Sequence, residues 1–333
     1  MPTTDDRATT LHDVAARVGV SPRTVSRVVN DEGGFSEATR ARVLDAVAEL
    51  DYHPNVLARG LITRRTSTIA LITPVISDPF FPEVAEGVQL AARDHGFTMF
   101  FATSDDDLGR QASVLNSLES HAVDGIIIFP ARESTDSLLP FAERGFRMVV
   151  IDADIDHANV CTVSSDLRRG AHLAVDHLVA RGCRDIAMIA NERSSPTRRH
   201  RETGFHGALA EHGRTSDRIV RGRANETEGR SGMRRLLEQY PTIDGVFAYN
   251  DLMAIGAMQE IRRTGRVVPD DIAVVGCDDI HMSQVVSPAL TTIHIDREAL
   301  GREAVRRLLE LCDGNTEQHD VLLPVTLSIR DSA

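Results

Sequence analysis

Residues 10–30 of the chain read TLHDVAARVGVSPRTVSRVVN. Thr10, followed three residues later by Asp13, is typical of a capping box. The apolar residues behind it recur at helical spacing, so we predict a helix that ends at Gly19. Ser21 and the proline after it predict the start of a second helix, because serine caps a helix and proline is tolerated at its first position. Two short helices joined by a glycine turn indicate a helix-turn-helix.

The second helix is predicted over residues 22–29, and its spacing turns three valines inward: Val25, Val28 and Val29. Its outer face then carries Arg23, Ser26, Arg27 and Asn30. Ser36 predicts the cap of a third helix over residues 37–50, with inward Val43, Leu44, Val47 and Leu50. On this pattern alone, a small three-helix bundle with solvated arginines remains an alternative to a DNA-binding unit.

Composition limits the class of protein. A length of 333 residues with 42% hydrophobic content favours two or three folded units. The net charge is −12, but the charges of the first 65 residues cancel and the 37 basic residues are all arginine. The four cysteines are widely spaced, which favours isolated thiols over disulfides or zinc. The N-terminus has no apolar signal and no stretch could span a membrane, so we predict a cytoplasmic protein without a membrane partner.

From Ser67 onward, short apolar runs alternate with amphipathic stretches. Predicted strands cover residues 69–73, 99–103, 125–129, 148–152, 161–165, 186–190, 245–249 and 272–277. Predicted helices cover residues 81–95, 110–121, 167–181, 201–212 and 251–263. This alternation predicts an α/β core with parallel sheets covered on both faces, and ligands at the carboxyl ends of the strands. The number of elements suggests two lobes.

Three segments together resemble the DNA-binding headpiece of the lactose/galactose repressor family. They are residues 10–30, FSEATRARVLDAVAELDYHPN (35–55) and VLARGL (56–61). The resemblance implies that Arg27 reads a base, and that Pro22 and Arg23 stand where residues vary with the operator. Proline lacks a donor, so Arg23 is expected to discriminate more. Ser21, Thr24, Ser26 and Asn30 are expected to contact phosphates.

Residues 53–61 resemble the hinge helix of the same family. The resemblance implies that two hinges meet in the minor groove of a pseudo-palindromic operator, with Asn55 and Ala58 at the DNA and Leu61 wedged between base pairs. A disordered linker is the alternative, although linkers favour glycine, serine and proline. We thus expect a flexible N-terminus (1–9), a DNA-binding domain (10–54), a hinge with its linker (55–66) and a two-lobed effector and dimerisation domain (67–333).

Five later segments carry the resemblance into a type I periplasmic-binding-protein-like core. They are ISDPFFPEVAEGVQLAARDHGF (76–97), VSSDLRRGAHLAVDHLVARG (163–182), AYNDLMAIGAM (248–258), DIAVVGCDDIHMSQVVSPALTTI (271–293) and LLPVTLSIR (322–330). The last matches a final crossover strand. By position, the resemblance implies an effector pocket of Asp78, Phe80, Phe81, Asp152, Arg201, Asn250 and Asp278. Carboxylates, an amide and a guanidinium suit the hydroxyls of a carbohydrate, and a phenyl ring suits its apolar face.

Each polar position also has a simpler interpretation. Asn250 or Asp251 could simply cap a helix, and the same is true of Asp278 or Asp279. Arg201 could lie on a solvated basic face. Ala153 and Ile295 replace polar residues frequent in sugar-binding relatives, which weakens a pentose assignment. The basic residues between positions 193 and 201 leave an anionic effector, such as a sugar phosphate, as an alternative.

The resemblance implies a homodimeric, sequence-specific transcription regulator, a repressor controlled by a small molecule. No nucleophile, acid–base set or metal spacing is evident, so we predict no enzyme activity, no cofactor and no metal. A secreted solute-binding protein, a sugar-processing enzyme and an activator or architectural protein of the same fold are the alternatives. The sequence does not identify the effector or the operator, and it does not show whether the effector releases or promotes DNA binding.

Overall fold

The computed structural model describes residues 9–52, 65–131, 135–153, 155–315 and 320–333. Contacts divide the chain into two units, Met1–Thr66 and Ser67–Ala333. The described part of the first unit contains helices α1 (Leu11–Val18), α2 (Pro22–Val29) and α3 (Glu37–Glu49). These are the three helices that the sequence predicted.

Local hydrogen bonds fix where the first two helices begin and end. The backbone N–H of Thr10 donates to Asp13 Oδ2 at 2.8 Å, and the backbone N–H of Asp13 donates to Thr10 Oγ1 at 3.4 Å. Gly19 ends α1 with a φ of 74°, in the left-handed region that glycine tolerates. The Thr24 N–H donates to Ser21 Oγ at 3.1 Å at the start of α2. The predicted caps are therefore confirmed.

The small core of this unit contains Val14, Val25, Val28 and Val43, all fully or almost fully buried. One expectation was wrong: Leu44 is 41% exposed, and Ala46 is buried in its place. One residue turns a helix by about 100°, so Leu44 points away from the face that Val43 buries. Val29 is only partly buried.

The second unit contains two six-stranded sheets. The first is built from β1 (Thr68–Thr73), β2 (Thr98–Thr103), β3 (Gly125–Ile128), β4 (Met148–Ile151), β5 (Val160–Ser165) and β11 (Val321–Leu323). The second is built from β6 (Ile186–Asn191), β7 (Ile219–Gly222), β8 (Gly245–Ala248), β9 (Ala273–Asp278), β10 (Thr291–His294) and β12 (Thr326–Ser328). The spatial orders are β11-β5-β4-β3-β1-β2 and β12-β10-β9-β8-β6-β7. The described pairs are parallel except for β10 with β12.

Helices cover both sheets and define two lobes. Lobe 1, around the first sheet, has α4 (Phe80–Asp94), α5 (Leu108–Ser120), α6 (Leu139–Glu143) and α12 (Arg297–Cys312). Lobe 2, around the second sheet, has α7 (Leu167–Ala180), α8 (Pro196–Glu211), α9 (Glu226–Gln239), α10 (Asp251–Arg263) and α11 (Met282–Val285). The α/β, two-lobed architecture predicted from the sequence is confirmed.

The chain crosses between the lobes three times. It passes from β5 to α7, from β10 to α12, and from β11 to β12. β5 and β11 are neighbours at one edge of the first sheet, and β10 and β12 are neighbours at one edge of the second. The crossings therefore join the lobes along a single side, and the carboxyl ends of most strands meet in the crevice between the lobes.

The eight predicted strands are all present, with ends that differ by at most one residue. The expectation of one final crossover strand was wrong, because that segment forms β11 in one sheet and β12 in the other. Strands β7 and β10 were not predicted. Neither were four helices: α6, α9, α11 and α12.

Glycines in α9 and α10 allow the backbones of these two helices to touch. A Cβ at Gly256 would collide with the carbonyl oxygen of Glu226, and one at Gly229 would collide with the backbone of Met253. A Cβ at Gly207, exposed on α8, would have no heavy atom within 4 Å.

We therefore expect Gly256→Ala to lower the free energy of unfolding by about 1–3 kcal/mol, because the helices must separate. Gly207→Ala, which also adds one methyl to a helix, should raise it by about 0.5–1 kcal/mol through helix propensity alone. Urea denaturation of both variants measures the two effects. Similar changes in both would show that the α9–α10 contact does not require glycine.

Candidate functional site

Five arginines lie between residues 9 and 52, and their partners separate them into two groups. The protein itself holds three through hydrogen bonds or ion pairs: Arg17, Arg40 and Arg42. The other two, Arg23 and Arg27, lie on α2, and neither is paired within the described part of this unit. The guanidinium of Arg27 lies over Gly34, where a side chain would displace it. Helix α2 thus presents two cations that are not neutralised.

The remaining polar residues of α2 bond to each other. Ser21 Oγ and Thr24 Oγ1 are 2.8 Å apart, and Asn30 Nδ2 donates to Ser26 Oγ at 3.3 Å. Pro22 occupies the first position of the helix. Asn55, Ala58 and Leu61, the residues expected in the hinge, lie outside the described residues.

In the second unit, Arg201 of α8 is the central charge of the crevice and is only 4% exposed. Its Nη2 donates to Asp278 Oδ1 at 3.1 Å and to the sulfur of Cys277 at 3.4 Å. The Tyr249 ring lies 4.3 Å from its guanidinium carbon. The interpretation of Arg201 as part of a solvated basic face is therefore wrong.

A hydrogen bond between Asp78 and Asn250 joins the two lobes. Asp78, just before α4, accepts from the backbone N–H of Phe80 through Oδ1 at 3.0 Å. Its Oδ2 accepts from Asn250 Nδ2 at 3.3 Å. Asn250 Oδ1 also accepts from the backbone N–H of Met253 at 3.0 Å. Asn250 therefore caps α10 and still reaches across the crevice.

Asp152 follows β4 in the left-handed region, with a φ of 55°. Its Oδ1 accepts from the backbone N–H of Ser165 at 2.9 Å. Loss of hydration on burial raises the pKa of Asp152 to about 6, while the nearby charge of Arg201 opposes the rise. Burial also raises the pKa of Asp78 and of Asp278, and Arg201 again opposes both shifts. The charge of one guanidinium thus acts on three carboxylates, of which Asp152 and Asp278 are buried and Asp78 is partly buried.

The two predicted aromatic residues have different surroundings. Phe80 is buried in the core of lobe 1, with its ring centre 6.1 Å from that of Phe129. Phe81 is partly buried, 5.1 Å from Phe129 in an edge-to-face arrangement. Phe81 is therefore the ring that can meet a ligand. Phe129 and Tyr249 were not predicted as site residues, although each is the last residue of a predicted strand.

Two other carboxylates at strand ends stabilise lobe 2 itself. Asp251 is completely buried and accepts from Ser283 Oγ at 2.6 Å and from Thr292 Oγ1 at 2.5 Å. Asp279 accepts from Arg330 at 2.6 Å and from Ser328 Oγ at 2.9 Å. Asp251, Asp278 and Asp279 do not cap helices, so that alternative is wrong for all three.

The basic run of residues 193–201 is largely neutralised by carboxylates. Arg193 Nη1 lies 2.7 Å from Asp106 Oδ2, which belongs to lobe 1. Arg198 Nε lies 3.8 Å from Glu202. Among the described residues, no group of three or more His, Cys, Asp or Glu is arranged to hold a metal ion. No helix in the same residues is long and apolar enough to cross a membrane.

Comparison with known proteins agrees with this arrangement. Residues 10–55 match the family described as bacterial regulatory proteins, lacI family, and residues 175–333 match a periplasmic binding protein-like domain. The "Ribose operon repressor" of Halalkalibacterium halodurans is 34% identical over 97% of both chains. The chain belongs to the lacI family.

Two solved structures resemble almost the whole chain. The lac repressor dimer bound to operator and the anti-inducer ONPF has a TM-score of 0.90 at 30% identity, covering 98% of this chain and 99% of that one. The transcriptional regulator CelR in complex with cellobiose has a TM-score of 0.75 at 32% identity, covering 98% and 100%. This lacI-family protein is thus a DNA-binding transcriptional repressor under the allosteric control of a small molecule.

The raised pKa of Asp152 predicts how the stability of this repressor depends on pH. The folded state holds the Asp152 proton more tightly than the unfolded state does, since the pKa rises from 3.8 to about 6. This stabilising contribution is complete below pH 3.8 and is lost as the pH rises through 6. Asp152→Asn should therefore be more stable than the wild type by up to about 3 kcal/mol at pH 7.5, and the difference should shrink towards pH 4.

Chemical denaturation of both proteins across this pH range gives the difference directly. Asp94→Asn, at an exposed position on α4, is the control for the loss of one carboxylate. A difference between Asp152→Asn and the wild type that stays constant from pH 4 to 7.5 would contradict the burial of an ionised group at Asp152.

Proposed function

We propose that this repressor acts in the cytoplasm as a homodimer that reads a pseudo-palindromic operator with α2. Arg27 and Arg23 are the residues assigned to bases, because they are the unpaired arginines of the described headpiece. A guanidinium can donate two parallel hydrogen bonds to guanine in the major groove. Ser21, Thr24, Ser26 and Asn30 are assigned to phosphates, where they fix the register of the helix. Pro22 offers no donor.

A homodimer follows from the symmetry of the operator. Two equal half-sites require two headpieces related by a two-fold axis. The lac repressor, which resembles this chain over its whole length, is a dimer on its operator. We assign Asn55, Ala58 and Leu61 to the minor groove at the centre of the site, as the resemblance in sequence implies.

The effector that we propose is an uncharged carbohydrate bound between the lobes. The observation that carries this proposal is the buried Arg201, which pairs with Asp278 and whose charge acts on the carboxylates of Asp78 and Asp152. Carboxylates accept hydrogen bonds from sugar hydroxyls, the guanidinium donates to them, and Phe81 offers a ring to an apolar face. CelR, a relative of the same fold, binds cellobiose.

Charge favours a neutral sugar over a sugar phosphate. Arg201, Arg193 and Arg198 each have a carboxylate partner already. A phosphate placed near Arg201 would lie close to three carboxylates and would be repelled by them. Because the relatives are repressors, we propose that the crevice binds its ligand without catalysis and without a cofactor or metal.

Base reading by Arg27 can be tested on an operator fragment that the wild type selects from random DNA. Arg27→Ala should weaken binding to this fragment by about 1–3 kcal/mol and binding to random DNA much less. Arg17→Ala is the matched control, because Arg17 pairs with Glu49 at 2.8 Å and should change binding little. Fluorescence anisotropy at one fixed salt concentration measures all three proteins. Equal losses on both DNAs would show that Arg27 contacts phosphate instead.

The effector class can be tested by thermal shift with D-ribose, D-glucose, cellobiose and the corresponding monosaccharide phosphates. A sugar at 100 times its dissociation constant adds about 2.7 kcal/mol to the stability of the folded protein. Asp278→Asn should lose this shift, whereas the exposed Asp94→Asn should keep it. The same sugar should change operator affinity in the wild type and leave it unchanged in Asp278→Asn. Stronger stabilisation by the phosphates than by the parent sugars would overturn the proposal.

A further inference from the structure

Two residues that interact with Asp152 each carry a buried polar atom without a hydrogen-bond partner among the described residues: Oγ of Ser165 and Nε of Arg201. Ser165 is 2% exposed and Arg201 is 4% exposed. A buried donor or acceptor without a partner costs about 1–3 kcal/mol, so such atoms are rare unless they serve a function. Their position in one crevice is therefore informative.

Ser165 is the last residue of β5, and Asp152 directly follows the neighbouring strand β4. The hydrogen bond from the Ser165 N–H to Asp152 Oδ1 fixes the two residues side by side. In the part of the chain that the structure describes, Asp152 Oδ2 has no partner. Ser165 Oγ, Asp152 Oδ2 and Arg201 Nε thus offer one group that donates or accepts, one acceptor and one donor.

We propose that Ser165 is a direct contact of the effector, and that these three atoms bind two adjacent hydroxyls of a sugar. One hydroxyl donates to Asp152 Oδ2 and accepts from Ser165 Oγ. The second hydroxyl accepts from Arg201 Nε–H. This inference rests on the proposed carbohydrate effector and adds the side chain of Ser165, to which neither the sequence analysis nor the site described above gives a role.

The position of Ser165 also connects the effector to the geometry of the lobes. The next residue, Asp166, begins the first crossing and caps α7 by accepting from the Arg169 N–H at 2.9 Å. The backbone N–H of Asp166 donates to the carbonyl oxygen of Leu323, just before the third crossing, at 2.9 Å. A sugar bonded to Ser165 Oγ would therefore be attached where two of the three crossings meet.

A structural role for Ser165 and a binding role predict different behaviour of Ser165→Ala. If Oγ has no partner in the free protein, its removal should leave the melting temperature unchanged or raise it. Ser216 provides the matched control, because its buried Oγ donates to the carbonyl oxygen of Ile186 at 2.9 Å within lobe 2. Ser216→Ala should lower the melting temperature.

The experiment uses the full chain with D-ribose, D-glucose and cellobiose. Each sugar that shifts the wild-type melting temperature is titrated by calorimetry into the wild type, Ser165→Ala and Ser216→Ala. We expect Ser165→Ala to raise the dissociation constant about 3- to 10-fold, the size of one lost hydrogen bond. Ser216→Ala should bind as the wild type does.

The outcomes separate this inference from the function on which it rests. Wild-type affinity in Ser165→Ala would overturn the Ser165 contact and leave the carbohydrate effector intact. A melting temperature of sugar-free Ser165→Ala as low as that of Ser216→Ala would also overturn it, because Oγ would then be structural. If none of the three sugars shifts the wild type, both the effector class and the Ser165 contact fail.

Discussion

The arrangement of charges in the second unit depends on the burial of Arg201. A guanidinium does not lose its proton in a protein, so burying it requires a carboxylate close by, and Asp278 provides one at 3.1 Å. Asp78 and Asp152 lie within reach of the same charge but bond to backbone N–H groups of lobe 1. The cation of lobe 2 thus attracts carboxylates of lobe 1 without direct pairs to them. The crevice is consequently built from charges that are only partly balanced.

Much of this architecture is local in origin and could be predicted from the sequence. Strands buried on both faces appear as uninterrupted apolar runs, so residues 125–129 and 148–152 were identified to within one residue. Caps depend on residues three apart, which is why Thr10 and Ser21 marked helix starts correctly. Of the pocket residues that the family resemblance implied, Asp78 bonds to Asn250 and Arg201 bonds to Asp278, whereas Tyr249, which lies against Arg201, was not implied.

Other features depend on contacts between distant residues and could not be predicted in this way. Helix α9 is polar and contains two buried glycines, so its sequence lacks the usual apolar stripe: Gly229 meets α10, and Gly232 meets side chains of β6 and β7. The role of Asp251 depends on Ser283 and Thr292, which follow it by about 30 and 40 residues. Helix α12 differs, because its apolar residues recur at helical spacing and a closer inspection of the pattern would have found it.

Because the three crossings lie on one side, they form an axis about which one lobe can rotate relative to the other. Asp106 follows β2, the strand at the edge of its sheet farthest from the crossings, and Arg193 follows β6 near the far edge of the other sheet. A rotation about the crossings changes the distance between Asp106 and Arg193 more than the distance between residues that lie nearer the crossings. The pair is partly exposed, so dissolved ions screen it. The same ions weaken contacts with DNA phosphates. Ionic strength therefore acts on both units of this repressor: on contacts between the first unit and operator phosphates, and on the Arg193–Asp106 ion pair between the lobes of the second.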